Sequence, residues 1–313
     1  MESSPAQCGL LLVVNPRARG ALRGGWRAAA LPILQASGRL EIAAPESAEK
    51  TANLARDAAR AGYGVVIAAG GDGTVNTVAR GLAGTGTPLG ILPLGTANDL
   101  ARELGIPREP AAAAKRIVEG VARTVDVVEV NGRPFVGVGG LALVSQSALA
   151  VTRVKERSPT ARGIANLFGG AVYRISATAN LLGRWRISDA MRITYRSPED
   201  ASEQVRELRV AALFVANHRT AGGGIVLPLD ANPSDGVFEL CVVAERARSS
   251  LVVNFARLTA GRELGPDVLV PLRASHAVIE TANDDAFVAD GELLAEGRRF
   301  ELSIRPGALR IIS

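Results

Sequence analysis

The chain has 313 residues, 47% apolar and only 4% aromatic, enough for two domains or one large one with cores built from Leu, Val, Ile and Ala. Its net charge of +5 is compatible with nucleic acid, an anionic membrane surface or a phosphorylated ligand, but no dense Lys/Arg run with interleaved aromatics supports a nucleic-acid groove. Cys8 and Cys241 are the only cysteines, which argues against a disulfide framework or a zinc site and for a reducing compartment. No basic leader precedes Leu10–Val14, and no apolar run reaches the roughly 18 residues of a membrane span, so a cytoplasmic, soluble protein is expected, one that touches a membrane only from outside.

The first 125 residues alternate short apolar runs with helical patterns. Leu10–Val14, Leu40–Ala43, Val65–Ala69 and Leu89–Leu92 read as strands; Ser47–Ala61, Thr74–Ala83 and Pro110–Gly120 read as helices. Ser47 with Lys50 is a cap without the full capping box. The alternation predicts an α/β unit with a mainly parallel sheet, whose ligands bind beyond the carboxyl ends of the strands. Asn15, Gly70 and Gly95 each follow a predicted strand closely, so three loops are expected along one edge.

Gly70-Gly71-Asp72-Gly73-Thr74 lies directly behind the third strand and ahead of a helix, with Thr74 expected as its N-cap. Three glycines in four positions allow a sharp turn and close approach of a ligand to main-chain N–H groups, so a side chain at Gly71 is expected to block that approach. Glycine turn and helix N-terminus together make an anion site. Asp72 would repel a bare phosphate, which points to magnesium or to a hydroxyl that needs activation. Without a ligand, the same residues would be a tight strand-to-helix turn.

Beyond Val125 the pattern becomes β-rich. Val125–Val130 and Pro134–Val138 flank Asn131-Gly132, a strong hairpin signal. Further strands are expected at Met191–Tyr195, Glu207–Ala216, Val237–Val243, Ala277–Glu280 and Arg299–Ile304, with helices near Leu141–Glu156 and Gly163–Leu182. The fold class expected is therefore α/β plus β-rich in two lobes. Residues 9–125 form the first lobe, rejoined by 305–313, and residues 126–304 a β-sandwich-like second.

Three more segments join the glycine loop: Asn15-Pro16-Arg17-Ala18-Arg19-Gly20, Pro93-Leu94-Gly95-Thr96-Ala97-Asn98-Asp99-Leu100 and Asp290-Gly291-Glu292. Asn217 with Gly222-Gly223-Gly224, and Pro228 through Asp235-Gly236, fit the same order. From about Leu10 to Leu293 the chain resembles the lipid-kinase superfamily that contains the diacylglycerol kinases and sphingosine kinases, above all its small soluble bacterial members. The resemblance implies phosphoryl transfer from ATP with Mg2+ to a lipid hydroxyl, in a site between two lobes. It implies nucleotide contacts from Asn15, Gly70, Gly71, Asp72, Gly73, Thr74, Asn76, Gly95, Thr96 and Asn98. Glu292 is the favoured proton acceptor, with Asp72 a competing base and Asp290 a companion carboxylate. It also implies a structural magnesium at Asp235, with backbone carbonyls near Asn232 and Val237 as further ligands. The partner implied is a lipid presented at a membrane surface, with peripheral membrane contact; a homodimer is compatible and nucleic acid is not expected.

Each segment also has a plainer reading. Asn15 fits an Asx-turn before Pro16, Thr96–Asp99 a helix N-terminus, Asp290–Glu292 a surface turn, and Asn232–Gly236 a type I turn. Pro45 stands where relatives often carry a nucleotide-contacting Thr, with Ser47 nearby, and Val138–Leu143 departs from the usual Gly-aromatic-Gly pattern. His218 and His276 read as packing or surface residues. Gly137–Ala142 formally fits G-x-G-x-x-A but lies in the β-rich half, and G-x-x-x-x-G-K-[ST] is absent. Two alternatives remain at this point: an NAD kinase-like enzyme, which shares the Gly-Gly-Asp-Gly turn, and a non-catalytic nucleotide- or lipid-binding regulator.

Overall fold

A computed structural model describes residues 9–22, 24–157, 171–182, 189–200, 202–221, 225–260, 262, 264 and 268–313. The chain divides into two units, one running to Val127 and resuming at Gly307–Ser313, the other spanning Val128–Pro306. Cys8, the first part of the expected Gly163–Leu182 helix, and Gly222-Gly223-Gly224 lie outside the described residues.

The first unit contains β1 (Leu10–Val14), α1 (Arg19–Leu22), α2 (Gly25–Ala36), β2 (Leu40–Ala43), α3 (Ala48–Arg60), β3 (Val65–Gly70), α4 (Asp72–Leu82), β4 (Leu89–Pro93), α5 (Asp99–Glu103) and α6 (Pro110–Glu119). Strand order is β2-β1-β3-β4, all parallel. β1, β3 and β4 are buried along their whole length, which is why they read as unbroken apolar runs. Trp26, Ala30 and Leu34 of α2 and Ala113, Ala114 and Ile117 of α6 pack on one core with Leu12, Ile67 and Leu92. Ser47 caps α3 by accepting the Lys50 N–H at 3.2 Å.

The second unit continues β5 (Ala122–Val130), which starts in the first, and adds β6 (Arg133–Phe135), β7 (Val138–Ala142), α7 (Leu143–Arg157), α8 (Ala171–Leu182), β8 (Asp189–Arg196) and β9 (Glu203–Ala216). β10 (Thr220–Ala221), β11 (Ile225–Val226), β12 (Phe238–Ala244), α9 (Arg248–Thr259), β13 (Leu269–Ala274), β14 (His276–Ala289) and β15 (Glu292–Ile312) complete it. Asn131 and Gly132 take φ 48° and 75° and join β5 to β6 as the hairpin expected. β7 and β8 share the same neighbours, β9 on one side and β14 on the other, all antiparallel. Phe135, Phe287 and Phe300 stack through the core at centroid distances of 5.6 and 6.2 Å. β15 then carries the chain back into the first unit, where Ile311 pairs with Leu89 of β4.

Several elements differ from the sequence expectation. α4 opens two residues before Thr74, because extended Gly71 turns the chain and its carbonyl accepts the Thr74 and Val75 N–H groups. Leu141 and Ala142 end β7 instead of starting a helix; Ala142 sits at φ 58°, with its N–H on Asp285, and α7 follows. The helices α2 and α9 and the strand β13 carry no clear start signal and were not expected.

Candidate active site

In the first unit, backbone hydrogen bonds tie together the loops after β1, β3 and β4. Leu94 N–H donates to Gly70 O at 2.8 Å, Asn15 N–H to Ala69 O at 3.0 Å, and Gly20 N–H to Leu94 O at 2.9 Å. Asn15 does two things. Its Oδ1 accepts the Arg17 N–H at 2.9 Å, the Asx-turn, and its Nδ2 donates to Thr74 Oγ1 at 3.1 Å, which fixes the first loop to the start of α4.

Asp72 is the centre of this arrangement. Its Oδ2 accepts the Asn98 N–H at 3.0 Å and its Oδ1 the Asp99 N–H at 2.5 Å. The carboxylate thus caps α5 from another loop, and Asp99 is further held by Arg102 at 2.9 Å. Burial pushes the Asp72 carboxyl up from its ordinary value, against the backbone donors that pull it down. A lone exposed loop carboxylate is not what the structure contains: Asp72 is a partly buried clamp, and with both oxygens occupied it is the weaker candidate for a proton acceptor.

Asn98 is folded onto its own loop. Its Oδ1 accepts the Gly95 N–H at 2.9 Å and its Nδ2 donates to Gly95 O at 3.1 Å, so its amide holds the loop instead of reaching outward. A Cβ on Gly71 would lie 3.2 Å from Gly95 Cα, and one on Gly95 2.6 Å from Asn98 Oδ1. The lack of a side chain at Gly71 therefore serves loop-on-loop packing, a reason for glycine that the sequence did not show. Gly73 is the open position: it is exposed, and a Cβ there would meet nothing within 4 Å. No side chain caps the N-terminus of α4, whose first turn carries the Asp72 carboxylate. Thr74 and Asn76 are buried in the first turns of α4, while Thr96 is exposed, with its carbonyl accepting from Arg108 at 3.3 Å.

In the second unit, Asp290 and Gly291 form the two-residue turn between β14 and β15, at φ 54° and 82°, with Ala289 paired to Glu292. Asp-Gly between apolar stretches is a hairpin signal that explains the tripeptide locally. The Asp290 side chain turns inward, accepting the Val136 N–H at 3.0 Å and the Gly137 N–H at 3.1 Å. Asp290 is thus a positioning group for the strand start at Val136–Val138. Glu292 is the first residue of β15 and half-buried. Asn217 joins the same cluster, donating its N–H to Gly137 O at 3.2 Å and Nδ2 to Val136 O at 3.4 Å. His218 is fully buried beside it, accepts the Thr220 N–H on Nδ1 at 3.3 Å, and desolvation lowers its pKa to about 4. It is a neutral packing residue. His276 is on the surface facing Glu301 at 3.3 Å.

The residues expected to hold a structural metal sit in one turn, where the Asn232 and Asp235 side chains have partners within the protein. Asn232 Oδ1 accepts the Ser234 N–H at 3.1 Å, and Asp235 Oδ1 the Val237 N–H at 3.3 Å. The cation on Asp235 Oδ2 is the Arg273 guanidinium, at 2.7 Å. Arg273 was not anticipated, since its role depends on the pairing of β12 with β13. Among the described residues no three His, Cys, Asp or Glu side chains gather as a metal cluster, and none of the described helices is long and apolar enough to cross a membrane.

Residues 9–130 match the diacylglycerol kinase catalytic domain, and residues 159–313 the YegS C-terminal NAD kinase beta sandwich-like domain. A probable lipid kinase, YegS-like, from Pseudomonas aeruginosa is 34% identical over 260 residues, 82% of this chain and 79% of that protein. A diacylglycerol kinase from Mycobacterium tuberculosis is 30% identical over 258 residues, 80% of this chain and 77% of the other. A solved Bacillus anthracis structure assigned as a diacylglycerol kinase superposes with a TM-score of 0.78 at 25% identity, covering 97% of both chains. With this similarity along both units, the chain belongs to the diacylglycerol kinase family of lipid kinases.

Proposed function

We propose that the protein transfers the γ-phosphoryl group of ATP to a hydroxyl of a lipid acceptor, with diacylglycerol-like lipids the first class to test. The observation that carries this reading is the uncapped N-terminus of α4 with Gly73 open beside it, held in place by the Asp72 clamp. Main-chain N–H groups and the helix dipole there suit nucleotide phosphates. Magnesium would neutralise phosphate charge.

Glu292 is assigned the proton of the acceptor hydroxyl. The hydroxyl oxygen bonds to the γ-phosphorus, the bond to the bridging oxygen breaks, and ADP leaves with that electron pair. Asp72 and Asp290 each position main chain within their own unit, because each spends its oxygens on backbone N–H groups.

The acceptor is presented, on this reading, by the cytoplasmic face of a membrane. α8 packs against both α7 and α9. These three helices carry Arg153, Lys155, Arg157, Arg174, Arg248 and Arg257 against one acidic residue, Glu156. That surplus equals the whole chain's net charge of +5. Val154, Ile175 and Val253 are exposed on the same helices at 44, 58 and 58%. Arg153 and Arg257 are exposed on the same helices, and basic charge beside exposed aliphatic side chains suits an anionic bilayer.

Incubation with labelled ATP, magnesium and a total lipid extract, followed by identification of the labelled product, tests the reading. A labelled lipid supports it. Label on NAD, or ATP binding without turnover on any acceptor, replaces it with one of the alternatives.

A further inference from the structure

Three carboxylates of the second unit converge on one guanidinium. Arg273 reaches Asp235 Oδ2 from Nη2 at 2.7 Å, Glu239 Oε1 from Nε at 3.0 Å, and Glu199 Oε1 from Nη1 at 3.5 Å. The placement is set by the sheet: β12 pairs with β13 so that Glu239 and Arg273 are direct cross-strand partners. Glu239 is almost fully buried, its side chain 4% exposed. Burial raises its carboxyl pKa, and Arg273 is the strongest influence pulling it back.

This is the turn at which the family resemblance implies a magnesium ion. A magnesium ion requires oxygen ligands in near-octahedral array at roughly 2.0–2.1 Å. At Asp235 both carboxylate oxygens face donors instead, the Val237 N–H and the Arg273 guanidinium. A guanidinium is planar and always charged, and its fork of donors can serve several carboxylates together, which a lysine ammonium does less well.

We propose that Arg273 is the resident cation of the Asn232–Val237 turn, standing where relatives would use a metal, and that the second unit folds independently of divalent metal. The sequence carries this in one long-range pairing: the turn supplies one anion, β12 a second, and β13 a fixed positive charge between them. The inference does not depend on the phosphoryl acceptor or on the catalytic base.

Thermal unfolding of the full chain without nucleotide, in EDTA and in millimolar magnesium chloride, tests it. The wild-type Tm is expected to be the same in both. Arg273→Met leaves Asp235, Glu239 and Glu199 without their cation; its Tm is expected to fall by several degrees in EDTA and to recover in part with magnesium, because the carboxylates left facing one another can then gather an ion. Arg273→Lys is expected to fall less and to remain indifferent to magnesium. If Arg273→Met does not fold, Asp235→Asn decides: equal loss of Tm in EDTA and in magnesium supports the proposal. A wild-type Tm that drops in EDTA and returns with magnesium, with that response abolished by Asp235→Asn, overturns it. So does a folded Arg273→Met protein whose Tm ignores magnesium.

Discussion

Gly71 and Gly95 meet main chain to main chain: a Cβ on Gly71 would sit 3.2 Å from the α-carbon of Gly95. The contact closes the loop after β3 on the loop after β4, and Gly70 O with Leu94 N–H seals it at 2.8 Å. Gly73, two residues on, faces open space. The two glycines therefore predict different failures. Gly71→Val should lower the Tm and weaken ATP binding together, because the loops must part. Gly73→Val should leave the Tm close to wild type and still cost at least about tenfold in ATP affinity, since its side chain fills the space where phosphate would approach the backbone. Calorimetric titration beside thermal unfolding separates them. Full ATP affinity in Gly73→Val would move the phosphate site elsewhere.

Asp72→Ala removes the acceptor of two N–H groups, those of Asn98 and Asp99. Stability is expected to drop by about 1–3 kcal/mol, the cost of stranding partly buried donors. Turnover is expected to fall by about a hundredfold or more, because the α5 loop loses its register with α4. Asp72→Asn keeps one acceptor and should lie between. Denaturant unfolding and initial rates at saturating ATP check both; a stable but inactive Asp72→Ala protein would assign the carboxylate to chemistry directly.

His218 gives the pH dependence. Its folded pKa of about 4 lies below the ordinary value of 6.5, so the unfolded chain takes the proton first on acidification. The stability this group contributes is complete above the unfolded pKa and is lost as pH falls from about 6.5 toward 4, at up to about 1.4 kcal/mol per pH unit. His218→Gln should flatten the stability curve over that window relative to wild type, with the carboxylates common to both. Denaturant midpoints at a series of pH values measure the difference, and identical slopes would contradict the assignment.

The first unit was legible because its central strands are buried along their length and the loops after β3 and β4 carry glycine. Val65–Ala69 could hardly be anything but a strand, and Gly70–Thr74 hardly anything but a strand-to-helix turn. α2 was missed because Gly24-Gly25 offers no side-chain cap and Pro32 interrupts its pattern. What each carboxylate does was not legible. Asp72 acts on backbone 26 and 27 residues away, and Asp290 on backbone more than 150 away. Periodicity and local motifs locate such residues but cannot tell a clamp from a base. Arg273 left no local trace, since β12 and β13 are brought together only by the sheet.

The surplus positive charge on α7, α8 and α9 predicts binding to anionic vesicles. Arg153→Glu with Arg257→Glu reverses two exposed charges and should reduce co-sedimentation with phosphatidylglycerol vesicles by at least about tenfold, at roughly 1 kcal/mol per basic residue near the surface. Binding to neutral vesicles should be weak for both proteins, and added salt should narrow the gap. Turnover of a water-soluble short-chain acceptor should be unchanged. Equal sedimentation of variant and wild type would remove these helices from the membrane contact.

Asp290 and Glu292 flank one glycine but should fail differently. Asp290 holds the Val136 and Gly137 N–H groups, so Asp290→Asn should lower the Tm and turnover in step. Glu292 begins β15, and Glu292→Gln keeps its shape and hydrogen-bonding capacity while removing proton acceptance. If Glu292 takes the hydroxyl proton, turnover should fall by roughly a hundredfold or more with ATP affinity and Tm little changed. If it acts mainly through magnesium, ATP affinity should fall as well, and raised magnesium should restore part of the rate. Unfolding curves, ATP titration and rates on the identified acceptor distinguish these cases. A Glu292→Gln enzyme with unchanged turnover would return the proton to Asp72 or Asp290. Both already bind backbone N–H groups through each oxygen, so accepting it would weaken one of those clamps, and the rate of that variant should then depend steeply on Asp72→Asn or Asp290→Asn.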